Sequence, residues 1–91
     1  MDAILLFHTK EAYGDGFVEI VIWRVHKPVL ASRHPYKYRL AYVVNGKRVV
    51  GYDNERGKGD HRHLGKLEEA YDFVTPAELM ADFMRDVKGV S

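Results

Sequence analysis

Asn45-Gly46, set between two runs that alternate apolar and polar side chains, constrains the fold of this chain more than any other pair of residues. Both central residues of a two-residue type I′ turn need positive φ, which asparagine tolerates and glycine adopts freely. Upstream of it, Tyr38, Leu40, Tyr42 and Val44 alternate with Lys37, Arg39, Ala41 and Val43, the period of a half-buried strand. A two-residue turn then sets the pairing: Val44 faces Lys47, Tyr42 faces Val49, Leu40 faces Gly51 and Tyr38 faces Asp53. On the opposite face Val43 meets Arg48, Ala41 meets Val50 and Arg39 meets Tyr52. This register gathers Tyr38, Arg39, Tyr52 and Asp53 at the open end of the hairpin, with the Arg39 guanidinium suited to stacking on the Tyr52 ring.

The flanking segments complete an α+β reading. Ala3 to Thr9 is an apolar run of strand-forming residues, and Tyr13-Gly14-Asp15-Gly16 supplies a reversal. Phe17 to Val25 carries strong β-formers on both faces, which predicts a central strand covered at least partly on both sides. Lys27 to Pro35, bracketed by Pro28 and Pro35, reads as an irregular connection. His63-Leu64-Gly65-Lys66 and Ala70-Tyr71-Asp72-Phe73 have the composition of one or two short edge strands. Thr75-Pro76-Ala77-Glu78 then opens a helix: Thr75 caps it, Pro76 fits the first turn and Glu78 completes a capping box. Leu79, Phe83 and Val87 form its apolar stripe with Met80 and Met84 beside them; Asp82, Arg85, Asp86 and Lys88 are expected on the wet side, and Gly89 is expected to end it. The expected fold is a single domain over residues 1–91, a small antiparallel sheet of about four to six strands packed against one C-terminal helix.

Charge narrows the partners. The formal net charge is +1, yet residues 24–66 hold eleven Lys/Arg against Asp53, Glu55 and Asp60, a local balance of +8. Residues 1–23 have four acids and one lysine, and residues 67–91 have six acids and two bases. A basic middle between acidic ends points to an anionic partner, or to ends that fold back and neutralise it. With no cysteine there is neither a disulfide framework nor a thiolate zinc site, and Ala3 to Phe7 is too short for a signal or membrane segment. A soluble, cytoplasmic protein is expected.

The chemistry concentrates in Tyr52-Asp53-Asn54-Glu55-Arg56-Gly57-Lys58-Gly59-Asp60-His61-Arg62-His63. On a strand, His61 and His63 project from one face, so their imidazoles can converge on a metal or on a scissile phosphate. Metal binding needs a third donor, with Asp60, Asp53, His34 or His26 as candidates, and the nearby Arg56, Lys58 and Arg62 oppose a divalent cation. As an acid/base pair the two histidines suit phosphodiester chemistry near neutrality, with bordering cations to stabilise the developing charge. Solvated loop histidines are the plain alternative. Gly57-Lys58-Gly59-Asp60 lacks the spacing and following helix of a nucleotide-binding loop. Cations interleaved with Tyr36, Tyr38 and Tyr52 suit a single-stranded RNA better than a DNA groove.

The runs Arg33 to Tyr42 and Val50 to His63 resemble the TumE family of small prokaryotic toxin–antitoxin proteins, with the Tyr52-Asp53-Asn54 segment and His61-x-His63 the most distinctive part. The resemblance covers about Phe17 to Val87. It implies a growth-inhibiting toxin controlled by a cognate helix-turn-helix antitoxin, and carries no residue roles across. Joined to the reading of the residues, it gives a toxin acting on RNA as a metal-independent endoribonuclease without a cofactor. His61 and His63 would be acid and base, Asp53 would orient an imidazole, and Arg39, Arg56, Lys58, Arg62, Tyr38 and Tyr52 would hold substrate. The alternatives are a non-catalytic nucleic-acid-binding module and a basic face that receives the antitoxin. A homodimer through the apolar first strand is a further expectation.

Overall fold

The computed structural model describes residues 3–91. Six strands pair in chain order, each antiparallel to its neighbours: β1 Ile4–Tyr13, β2 Gly16–Arg24, β3 Tyr36–Val44, β4 Lys47–Asp53, β5 His61–Leu64 and β6 Leu67–Ala70. One helix, α1 Pro76–Val90, follows and packs on a single face of the sheet. The antiparallel sheet with one C-terminal helix expected from the sequence is the architecture found, and its strands run as a meander. β1 is longer than its apolar run, because its polar tail also pairs: Lys10 lies opposite Glu19 and places its ammonium 4.5 Å from the centre of the Phe17 ring. The last strand is Leu67–Ala70, upstream of the expected Ala70 to Phe73. Tyr71 and Phe73 instead turn into the core as irregular chain.

Asn45 and Gly46 sit at φ 52° and 75°, the positive values that the turn needs. The register holds for Val44–Lys47 and Val43–Arg48 and then changes. Val49 is an extra residue on β4, so Tyr42 pairs with Val50, Ala41 with Gly51, Leu40 with Tyr52 and Arg39 with Asp53. The expected pairs Tyr38–Asp53 and Arg39–Tyr52 are therefore not formed. Continuing the regular register would have turned Gly51 and Asp53 toward the core and left Val50 and Tyr52 outside, because a one-residue slip exchanges the two faces. The bulge restores the match: Val50 and Tyr52 join Tyr38, Leu40 and Tyr42 in the buried layer. The freed Val49 carbonyl accepts from the Gly65 amide in the β5–β6 turn.

That buried layer also takes Val18, Ile20 and Ile22 from β2 and the Leu79, Phe83 and Val87 stripe of α1. Each large apolar side chain so buried stabilises the fold by about 1.5–3 kcal/mol. Thr75 Oγ1 accepts from the Glu78 amide, as the capping motif requires, and the helix runs through Gly89 to Val90. Two expectations change here. β2 is covered by the helix on one face only; its Phe17, Val21 and Trp23 are half-buried on the other, open face. Asp86 is not on the wet side but buried at 8% exposure, because Arg62 reaches it from β5.

Candidate functional site

The open face of the sheet collects the titratable residues. Along one row of paired positions lie His61, Asp53, Arg39 and Val21, on β5, β4, β3 and β2. His63 is two residues from His61 on the same face, and the two ring centres are 6.4 Å apart at right angles. Each imidazole has a carboxylate partner. His63 Nε2 is 3.5 Å from Asp53 Oδ2, and His61 Nδ1 is 3.3 Å from Glu68 Oε2 on β6. Arg48 and Lys58 complete a cavity of about 210 Å³ around these groups. Arg48 approaches Asp53 at 3.5 Å by crossing Gly51, where a Cβ would meet its side chain at 2.7 Å. Glycine at the centre of β4 therefore lets this guanidinium enter the site.

The expected site residues divide between the two faces. His61, His63, Asp53, Lys58 and the exposed Arg39 lie on or border the open face. Arg56 borders an adjoining hollow with Lys27 and Lys37, and Glu55 lines both hollows. Tyr38, Tyr52 and Arg62 project the other way. Tyr38 and Tyr52 are 3% and 0% exposed, so neither ring presents a face on which a base could stack. Arg62 donates to both Asp86 oxygens at 2.7 and 2.9 Å, to Glu69 at 2.6 Å and to the Tyr52 hydroxyl at 3.0 Å. Its guanidinium is held toward its charged form, well above the ordinary arginine range, chiefly by the bond to Asp86. Burial, reinforced by Asp86, raises the Tyr52 phenol above the ordinary tyrosine range. Arg62 and Tyr52, through Asp86, fasten the helix to the sheet.

Glu68 is a residue of this cavity that the sequence reading did not name, and Arg48 one that it took only as a general phosphate-contacting cation; the glycine interrupting an otherwise bulky β4 is the local sign of its place here. Among the described residues no three His, Asp or Glu side chains converge as a metal-ligand group.

Comparison with known proteins adds the family. The family model described as "Toxin TumE" matches residues 6–91, nearly the whole chain. The chain belongs to the TumE toxin family. No curated protein and no solved structure matches it. The family match thus supports the toxin reading, while the residues that would act have to be read from the geometry of this TumE chain.

A second polar cluster in this TumE protein holds its two long loops together. Asp60 accepts from Ser32 Oγ at 2.6 Å, His34 Nε2 at 2.6 Å and the Tyr38 hydroxyl at 2.7 Å. His34 Nδ1 accepts from the Tyr36 amide, which puts the ring proton on Nε2, and the ring stacks 3.8 Å from Phe73. Burial, with Asp60 as acceptor, raises the Tyr38 phenol above its ordinary range. Asn54 bridges the same loops through Ser32 Oγ and the Tyr36 carbonyl. With every ring nitrogen engaged, His34 is a structural histidine. Asp60→Ala should cost about 2–4 kcal/mol by leaving three part-buried donors without their acceptor. Urea unfolding measures this, and a change within about 0.5 kcal/mol would remove Asp60 from the framework that places the glycine-rich loop.

Proposed function

We propose that this toxin acts on RNA as a metal-independent endoribonuclease in the cytoplasm. The observation that carries the reading is the pair of imidazoles, His61 and His63, in one small cavity with Arg48 and Lys58. Their rings are close enough for one phosphodiester to touch both. In the proposed reaction one imidazole takes the proton of the ribose 2′-OH as that oxygen attacks phosphorus. The other gives a proton to the departing 5′ oxygen, leaving a 2′,3′-cyclic phosphate and a 5′-hydroxyl. Arg48 and Lys58 stabilise the charge growing on the non-bridging oxygens, and Asp53 orients His63. Lys58 is held by the exposed Glu55, which a phosphate can replace, and Arg48 lies beside the half-buried Asp53.

Purified protein incubated with RNA in EDTA is expected to cleave it to products ending in cyclic phosphate. RNA left intact at high protein concentration, with salt-sensitive binding retained, would instead establish a non-catalytic RNA-binding module.

The partner surface is proposed at the opposite edge of the sheet. β1 presents an unpaired backbone edge, and its Ile4, Leu5, Leu6 and Phe7 are 62, 46, 49 and 42% exposed. A strand or apolar segment of a helix-turn-helix antitoxin, or a second copy of the chain, would cover it.

A further inference from the structure

The open face continues beyond the histidine cavity as two further hollows. The first, about 640 Å³, is bordered by Lys27, Leu30, Lys37 and Arg56, with Glu55 joining it to the histidines. The second, about 410 Å³, is formed by Ala3, Trp23, Val25 and Lys37, so Lys37 is common to both. Trp23 pairs across the strands with Lys37 and with Leu5, two residues along from the row that carries Arg39, Asp53 and His61 and so on the same face. Unlike Tyr38 and Tyr52, it stands on the half-open side of the sheet. At the usual spacings of about 4.8 Å between strands and about 3.3 Å per residue, three strand steps and two residues along place it about 16 Å from His61.

We infer that Trp23, with Lys37, Arg39 and the Lys27/Arg56 pair, is a base-stacking subsite for single-stranded RNA, seating nucleotides that flank the phosphodiester between His61 and His63. The inference rests on the RNA reading of the histidine cavity, and three observations carry it. Four cations line the path and Glu55 is the carboxylate that lines its larger hollow, an arrangement that suits a polyanion. An indole beside one of those cations, Lys37, offers the apolar surface on which a base stacks. A duplex keeps its base faces inside the stack, so only an unpaired strand can use such a platform.

Trp23 is the one tryptophan of the chain, so its emission reports on the subsite directly. The full chain carrying His61→Ala/His63→Ala is titrated with a single-stranded RNA of about 12 nucleotides, with binding followed in parallel by the anisotropy of an end-labelled copy. The expected result is saturable quenching of the indole with the same midpoint as the anisotropy, and little quenching by duplex RNA. In the chain with both histidines, Trp23→Leu, which keeps apolar packing, should raise KM about tenfold with kcat nearly unchanged, and Trp23→Phe should recover most of the loss. Circular dichroism checks that each variant is folded. RNA binding without any change in emission, or cleavage by Trp23→Leu with an unaltered KM, overturns the subsite and leaves the nuclease reading standing. Quenching without cleavage by the unsubstituted chain leaves the subsite standing and removes the nuclease. No RNA binding removes both and gives the trough to another partner.

Discussion

Alanine at either His61 or His63 is expected to slow RNA cleavage by about 10²–10⁴-fold, the usual contribution of a positioned acid or base. The double substitution should be little worse than the more severe single one, because two groups that serve one proton-transfer sequence do not contribute independently. Stability should move by no more than about 1 kcal/mol, since both side chains lie on the open face and neither completes the buried layer. Activity should pass through a maximum as pH rises, because one ring must hold its proton while the other must lack it. His34→Ala provides the contrast: it should lower stability through the Asp60 cluster without changing the shape of that pH profile. Equal cleavage by the double variant and the unsubstituted chain would end the proposal that these imidazoles do the chemistry.

Arg62→Ala is expected to cost about 3–5 kcal/mol, a large part of the stability of a domain this small, because the buried Asp86 loses the guanidinium that donates to both its oxygens and keeps only the Tyr52 hydroxyl and the more distant Arg85. The loss should exceed that of Arg39→Ala, whose side chain is exposed. Replacing the whole buried group by apolar side chains, as Arg62→Met, Tyr52→Phe and Asp86→Leu together, should recover most of it, since no charge is then left unpaired. Acid should reveal the same linkage. Burial alone would raise the Asp86 pKa, but the bonds from Arg62 and Tyr52 outweigh it and hold the group below its ordinary value of 3.8. A carboxylate depressed in the folded state contributes its stability in full above that ordinary value. The contribution fades as pH falls through the lower, folded-state value. Urea midpoints of the original chain and Arg62→Ala should therefore converge as pH drops below about 4. A constant gap between them would mean that Asp86 is not the group coupled to Arg62.

The opposite roles of neighbouring Arg62 and His61 show how finely the site depends on strand facing. The sequence reading placed both in one site, His61 as acid or base and Arg62 on the phosphate, and alternation along β5 sends Arg62 to the helix and His61 to the open cavity. The same applies to Tyr52 and Asp53 on β4. The sequence reading named His61, His63 and Asp53, which the fold places on one face, but it also assigned Tyr38, Tyr52 and Arg62 to substrate, and the fold buries or engages these three on the other face. Trp23 was legible as a strand residue, yet its place beside the basic trough depends on the helix covering only the other face of the sheet.

Local chemistry alone determined the Asn45-Gly46 turn, the Thr75-Pro76 helix start, the Leu79/Phe83/Val87 stripe and the convergence of His61 and His63, because each depends on residues a few positions apart. Only the assembled sheet decided the rest. The bulge at Val49 trades a regular ladder position for the burial of Val50 and Tyr52, a gain supplied by β3 and the helix and invisible to period counting within β4. That one inserted residue turned Asp53 toward the histidines. The helix supplied Asp86 as the partner of Arg62, which alternation along β5 had already set on that face. Both partnerships depend on long-range packing, which no window within one strand contains.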